Sequence, residues 1–190
     1  MAAAMKAVVI GASAGAVQAL LRILPALPAD YPLPLLIVVH VPPDRINALV
    51  GLFADKCTLT VKEAEDKEHA SAGTIYFAPS DYHLLIEQDG SLALSSDEPV
   101  HHSRPAIDVL FETAADAWGP AVTGLVLTGA NHDGAAGLRA IMDGGGIGMV
   151  EDPASAEMPA MPMAALARCP SAARLRLETI PSHLLELAVK

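Results

Sequence analysis

Residues 6–10, Lys-Ala-Val-Val-Ile, run straight into Gly11-Ala12-Ser13-Ala14-Gly15, and an Ala/Leu-rich helical pattern begins immediately behind them. A short apolar strand, a turn of small residues and a helix make a βα unit, the repeating piece of a parallel sheet. The turn aims Ser13 outward. Gly-x-Ser-x-Gly at a sharp strand-to-helix turn is the sequence form of a nucleophile elbow, and a serine entering a helix is equally an N-cap. On this motif alone both readings stand.

The pattern repeats. Apolar runs at 35–40 and 122–128 alternate with helical patterns near 17–27, 45–55, 105–117 and 135–142. Continuous rather than alternating apolar strands indicate a sheet buried on both faces. The fold class predicted is therefore α/β, a doubly wound, mostly parallel sheet with helices on both faces. Residues 84–88 and 91–95 flank Asp89-Gly90, a favoured two-residue turn, and predict an added antiparallel β-hairpin beside the main sheet. Gly144-Gly145-Gly146 reads as a helix stop before a further strand at 147–150. Prolines crowd 152–162, which predicts a loop, and 181–190 reads as a short closing helix. At 190 residues and 52% hydrophobic, the chain suits a single domain.

Charge narrows the partners. Twenty-two acids against 12 bases give a formal net charge of −10, with no basic stripe. Nucleic-acid binding, which depends on clustered Lys and Arg, is not expected. Mean hydropathy is +0.38. Yet the densest apolar stretch, 33–41, holds Pro34 and His40 and is too short to span a bilayer, so no direct membrane insertion is expected. Met1-Ala2-Ala3-Ala4-Met5 lacks the pattern of a secretory signal. A cytoplasmic location follows as the expectation, in keeping with two widely separated cysteines, Cys57 and Cys169, read as reduced thiols.

In open parallel sheets, reactive groups gather beyond the carboxyl ends of the strands. Ser13 lies there, His40 ends the run 35–39, and Asp133 follows the run from Leu125 just before a helix. Serine, histidine and carboxylate are the set that a hydroxyl nucleophile requires: a base for its proton, and an acid to hold the imidazole tautomer. Each has a plainer role, His40 as a solvated strand end and Asp133 as a cap of the following helix. Three loops each supplying a different member of one triad is less expected from capping alone. The chain order Ser, His, Asp differs from the Ser, Asp, His of α/β-hydrolases.

Two other chemistries fit less well. A dinucleotide fingerprint needs Gly where this chain has Ser13 and Ala16, and an acid where the second strand ends in His40. For metal binding, His83, His101, His102, His132 and Asp133 are available, but no ligand-type spacing appears, so no metal is expected and these histidines read as solvated loop residues. His132, beside Asp133, is set aside as the base because neighbours on one loop rarely point to the same spot.

These segments resemble the catalytic domain of chemotaxis-receptor protein-glutamate methylesterases, the CheB type. Ile10-Gly11-Ala12-Ser13-Ala14-Gly15 is similar to that family's I-G-A-S-T-G-G, Val39-His40-Val41-Pro42 to its Q-H-M-P, and residues 127–138 to its L-T-G-M-G-x-D-G-A-x-G-L. Tyr76-Phe77-Ala78-Pro79 with His83, residues 104–111, and Ala154-Ser155 followed by Met161-Pro162 match further family segments. The similarity runs from about Met5 to the C-terminus.

The resemblance implies a serine hydrolase that demethylates glutamyl methyl esters on cytoplasmic helices of methyl-accepting chemoreceptors, with glutamine deamidation as related chemistry. It implies Ser13 as nucleophile, His40 as base, Asp133 as triad acid, and the backbone N–H groups of Ala14 and Ala130 as oxyanion donors, with no cofactor. The family usually carries an amino-terminal receiver domain, whereas here residues 1–190 read as one methylesterase-like domain. The segment reads either as an excised domain or as a stand-alone enzyme, and regulation of a stand-alone form would come from abundance or a separate partner. Around the site the chain departs from the pattern: Ala14 replaces Thr, Ala16 replaces Gly, Ala130-Asn131 replaces Met-Gly, Val39 replaces Gln and Ala160 replaces Gly. The alternative reading is a catalytically weak module of the same fold that docks on receptors or a signalling complex.

Overall fold

The computed structural model describes residues 6–189. The first strand, β1 (Ala7–Ala12), is buried along its whole length. Successive side chains on a strand point to opposite faces. Val8, Ile10 and Ala12 join one core, with α1 (Ala16–Ile23), α2 (Ile46–Lys56) and α6 (Ile180–Leu187). Ala7 and Val9 join the other, with α3 (Ile107–Trp118), α4 (Ala135–Asp143) and α5 (Ala160–Arg168). Two cores on two faces explain why the strand is apolar at every position. Ile10, Leu20, Ile37, Phe53, Phe77 and Phe111 are among the fully buried side chains, each worth about 1.5–3 kcal/mol of transfer free energy.

Seven parallel strands form the sheet. Along it stand β3 (Thr60–Glu63), β4 (Thr74–Phe77), β2 (Leu35–Val39), β1, β7 (Val122–Val126), β8 (Ile147–Glu151) and β9 (Ala173–Leu175). The chain leaves β1 toward β2 on one side and later returns to pair β7 on the other. This reversal opens a crevice at the carboxyl ends of β1 and β7, where ligands bind in such sheets. A separate antiparallel hairpin, β5 (His83–Ile86) and β6 (Leu92–Ser95), packs on α3, where the Thr113 hydroxyl accepts the Ile86 N–H at 3.1 Å. No helix among the described residues is long and apolar enough to cross a membrane. The signal-peptide reading of residues 1–5, and the last residue of the closing helix, lie outside the described residues.

The expected loop at 152–162 ends earlier than predicted. It runs only to Pro159, where α5 begins, with Pro162 inside its first turn. Proline is tolerated there because the first turn's N–H groups have no helical acceptor. Strands β3, β4 and β9 and helix α5 were not anticipated.

Candidate active site

The turn that ends β1 spans residues 13–16. Its closing bond runs from the Ala16 N–H to the Ser13 carbonyl at 2.9 Å, with Gly15 at φ 85°, ψ 1° in the third position. Those values fit a type II turn, which needs a glycine there. Gly15 is also the N-cap of α1, and no side chain caps that helix. The capping role open to Ser13 is therefore not taken up: its half-buried hydroxyl makes no hydrogen bond among the described residues.

Register brings the next two groups together. Ala12 pairs with Val39, and the His40 N–H donates to the Ala12 carbonyl at 3.1 Å, so Ser13 and His40 follow as neighbours across two adjacent strands. By strand alternation both continue the series that faces α3. On that face His40 Nε2 lies 2.8 Å from Asp133 Oδ2. Asp133 is completely buried, whereas the His40 side chain is 12% exposed. With Nε2–H donated to Asp133, the imidazole lone pair sits on Nδ1, where Asn131 Nδ2 approaches to 3.4 Å.

Asp133 does not cap the helix that follows it. Its carboxylate caps α3 instead, accepting the N–H of Ile107 at 2.7 Å and of Asp108 at 2.9 Å. The following helix, α4, is capped by Asp108, whose Oδ1 accepts the N–H of Gly134 at 2.9 Å and of Gly137 at 2.7 Å. Burial works to raise the Asp133 pKa, but hydrogen bonds from His40 and the two α3 N–H groups outweigh it and hold the carboxyl below its ordinary value. Asp108 goes the other way. Burial, with the Asp133 charge adding to it, outweighs the two α4 N–H groups and pushes its pKa up.

Two further backbone N–H groups belong to the loops that carry Ser13 and Asp133. Those of Ala14 and Ala130 carry no hydrogen bond among the described residues, and both residues are exposed. His40 also lines an open cavity of about 310 Å³, together with Val41, Pro42, His102, Ser103, Arg104 and Pro105. Arg104 is fixed beside it by Asp81 Oδ1 at 2.7 Å and by the carbonyls of Ser96 and Asp97 at 2.9 and 3.0 Å.

Of the remaining histidines, His83 is not a solvated loop residue. It is 2% exposed on β5, accepting the Ala106 N–H at Nδ1 (3.1 Å) and donating from Nε2 to the Glu98 carbonyl (3.0 Å). It buttresses the residue that precedes α3. His132 stacks edge-on with His101 at 4.7 Å between centroids, apart from the His40–Asp133 pair. No cluster of metal-ligating side chains occurs among the described residues.

Two residues with large local roles were missed by sequence reasoning. Asp108 stood in a quoted segment, but nothing local marks it as the cap of a helix that starts 27 residues later. Thr128, 1% exposed, contacts the Ser13 turn through both its backbone and its hydroxyl.

Comparison with known proteins identifies the family and the fold. A family model described as CheB methylesterase matches residues 8–184. A Leptospira interrogans relative whose name carries both activities, protein-glutamate methylesterase and protein-glutamine glutaminase, is 44% identical over 161 residues, 85% of this chain and 83% of that protein. Protein-glutamate methylesterase/protein-glutamine glutaminase 5 of Myxococcus xanthus is 42% identical over 86% of this chain, which spans 48% of that longer protein. The crystal structure of the Thermotoga maritima CheB methylesterase catalytic domain superposes with a TM-score of 0.92 at 33% identity, covering 97% of this chain and 100% of that one.

Proposed function

We propose that this chain, a hydrolase that belongs to the CheB methylesterase family, cleaves glutamyl methyl esters on chemoreceptor cytoplasmic helices with Ser13, His40 and Asp133 as its triad. The observation that carries the reading is the 2.8 Å His40–Asp133 bond, formed on the sheet edge where strand register brings Ser13 alongside His40.

In this reading Asp133 holds His40 in the tautomer protonated at Nε2, which leaves Nδ1 as the base. Nδ1 takes the Ser13 proton as Oγ attacks the ester carbonyl. The backbone N–H groups of Ala14 and Ala130 receive the oxyanion; Ala in place of Thr and Met costs nothing there, since the donors are main-chain. Collapse of the tetrahedral intermediate expels methanol, protonated by His40. Water, deprotonated in turn by His40, attacks the acyl carbon, and His40 returns the proton to Ser13 Oγ as the glutamate leaves. A glutamine side chain enters the same sequence with ammonia as leaving group, in line with the double activity in the relatives' names.

The test is methanol release from a methylated receptor fragment by wild type and Ser13→Ala. Loss of the nucleophile is expected to lower the rate by about 10³-fold or more, because triad members act as a unit. A fluorophosphonate is expected to label Ser13. An unchanged rate in Ser13→Ala overturns the reading.

A further inference from the structure

We infer that Thr128 is a positioning residue for the hydrolysis: its hydroxyl locks the Ala14–Gly15 peptide of the nucleophile turn and so aims the Gly15 N–H, which carries no hydrogen bond among the described residues, as a further oxyanion donor beside that of Ala14. The inference rests on the esterase reading above. Thr128 is buried between the turn and the loop that follows β8, and every polar atom it has is engaged. Its N–H donates to Glu151 Oε2 at 2.9 Å. Its carbonyl accepts the Ser13 N–H at 2.9 Å. Its hydroxyl donates to the Ala14 carbonyl at 2.9 Å and accepts the Met158 N–H at 2.8 Å.

A trans peptide is planar, with its C=O and N–H pointing in opposite directions. In the Ser13–Ala14 peptide the carbonyl is held by the Ala16 N–H, so the Ala14 N–H is thrown to the opposite side. In the Ala14–Gly15 peptide the carbonyl is held by Thr128 Oγ1, so the Gly15 N–H points away from Thr128. That second peptide is the soft one. Type I and type II turns differ by a flip of the central peptide, and the closing bond from Ala16 is present in both. Thr128 is the group that selects between them. With Gly15 held at φ 85°, the type II form is the one observed. The hydroxyl's single proton has two carbonyls in reach, Ala14 at 2.9 Å and Met158 at 3.3 Å, and the contact to Ala14 is the shorter.

Oxyanion stabilisation depends on donors aimed where charge develops, so a misdirected peptide costs rate rather than affinity. Thr128→Val keeps the shape and removes the hydroxyl, whereas Thr128→Ser keeps the hydroxyl. With methylated receptor fragment, T128V is expected to lower kcat about 30- to 100-fold with KM within about twofold, and T128S to stay within about threefold of wild type. The rate of Ser13 labelling by a fluorophosphonate is expected to follow the same order. If T128V does not fold, Thr128→Ala, which fits the space, carries the same comparison.

Wild-type rates in T128V, a T128S variant as slow as T128V, or a loss confined to KM overturns the inference. Methanol release that is absent from wild type, while Ser13 is labelled and T128V slows the labelling, removes the receptor substrate and leaves the turn mechanism standing. A wild type that is not labelled overturns both.

Discussion

Asp108 and Asp133 cap each other's helices. Asp133, at the entrance to α4, accepts the N–H groups of Ile107 and Asp108 at the start of α3, and Asp108 accepts those of Gly134 and Gly137 at the start of α4. A helix N-terminus carries unsatisfied donors and a partial positive charge, so a buried carboxylate there is stabilised. The crossing is close: a Cβ on Gly137 would come within 2.5 Å of Phe111 Cβ and 3.1 Å of Asp108 Cα. The Asp133 carboxylate is thus held by the scaffold as much as by His40.

Asp108→Ala is expected to lower stability by about 2–3 kcal/mol, because two buried helix donors lose their acceptor. Asp108→Asn keeps Oδ1 and is expected to cost less than about 1 kcal/mol, since an amide oxygen accepts the same two bonds and the burial of a charge is relieved. Urea unfolding midpoints of the two variants check this. Equal losses would mean that charge, not acceptor capacity, holds α4.

Asp133→Asn removes more than the charge. Oδ2 receives both His40 Nε2 and the Ile107 N–H. An amide nitrogen placed there faces two donors, and one placed at Oδ1 faces the Asp108 N–H, so either rotamer breaks a cap. Turnover is expected to fall about 10³- to 10⁴-fold through the lost tautomer, with a stability loss of about 1–3 kcal/mol. Steady-state methanol release and thermal melting measure the two effects. A variant that loses turnover while keeping full stability would show that the caps survive the amide.

Glu151 gives a pH signature. It is 1% exposed and accepts the Thr128 N–H, yet burial pushes its pKa above the ordinary glutamate value. A raised folded-state pKa means that the folded protein binds more protons than the unfolded chain between the two values, so this group adds stability as pH falls through the folded value and levels off below the unfolded one. Glu151→Gln removes the ionisation while leaving an oxygen for Thr128. Relative to wild type, E151Q is expected to be most favoured at pH 8 and to lose that advantage toward pH 4. Asp133, with its lowered value, acts oppositely: its contribution is present above the ordinary aspartate value and is lost only in stronger acid. Denaturant unfolding of wild type and E151Q across that range would sink the Glu151 argument if the difference did not change with pH.

Strands β1 and β2 were legible because burial on both faces leaves no polar position; β4, equally buried but only four residues long and opening on Thr74, was missed. The hairpin was legible from Asp89-Gly90, but the Glu87 N–H bonds the Ser91 carbonyl, so Gln88-Asp89-Gly90 form a three-residue loop in place of the two-residue turn expected. Edge strands were not legible. β3, Thr-Val-Lys-Glu, has no fully buried residue, and β9 is three residues long with only Leu175 buried. Neither has an apolar pattern to read. Helix α5 was hidden by prolines that its first turn accommodates. The polar residues beyond the strand ends could be listed from sequence, because topology sends them to one edge. Their bonds could not, since the exchange between Asp108 and Asp133 and the bond from Thr128 to Ala14 join positions that only the packed helices and strands bring together.

Asn131 is the departure from the family pattern that touches His40 itself. Its Oδ1 accepts the Asp133 N–H at 3.1 Å, an Asx turn that shapes the loop, while Nδ2 reaches His40 Nδ1 at 3.4 Å. The first contact braces the loop that carries Asp133. In the proposed mechanism the second engages the lone pair that accepts the Ser13 proton, so it breaks before each turnover. A long neutral hydrogen bond of this kind is worth about 0.5–1 kcal/mol, which corresponds to a factor of about 2–5 in rate. Asn131→Ser preserves a side-chain acceptor for Asp133 and is too short to reach His40. It is expected to raise kcat/KM for methanol release by about that factor, with thermal stability unchanged within about 1 kcal/mol. A lower rate in N131S would mean that the amide orients the imidazole, and that holding the ring outweighs freeing its lone pair.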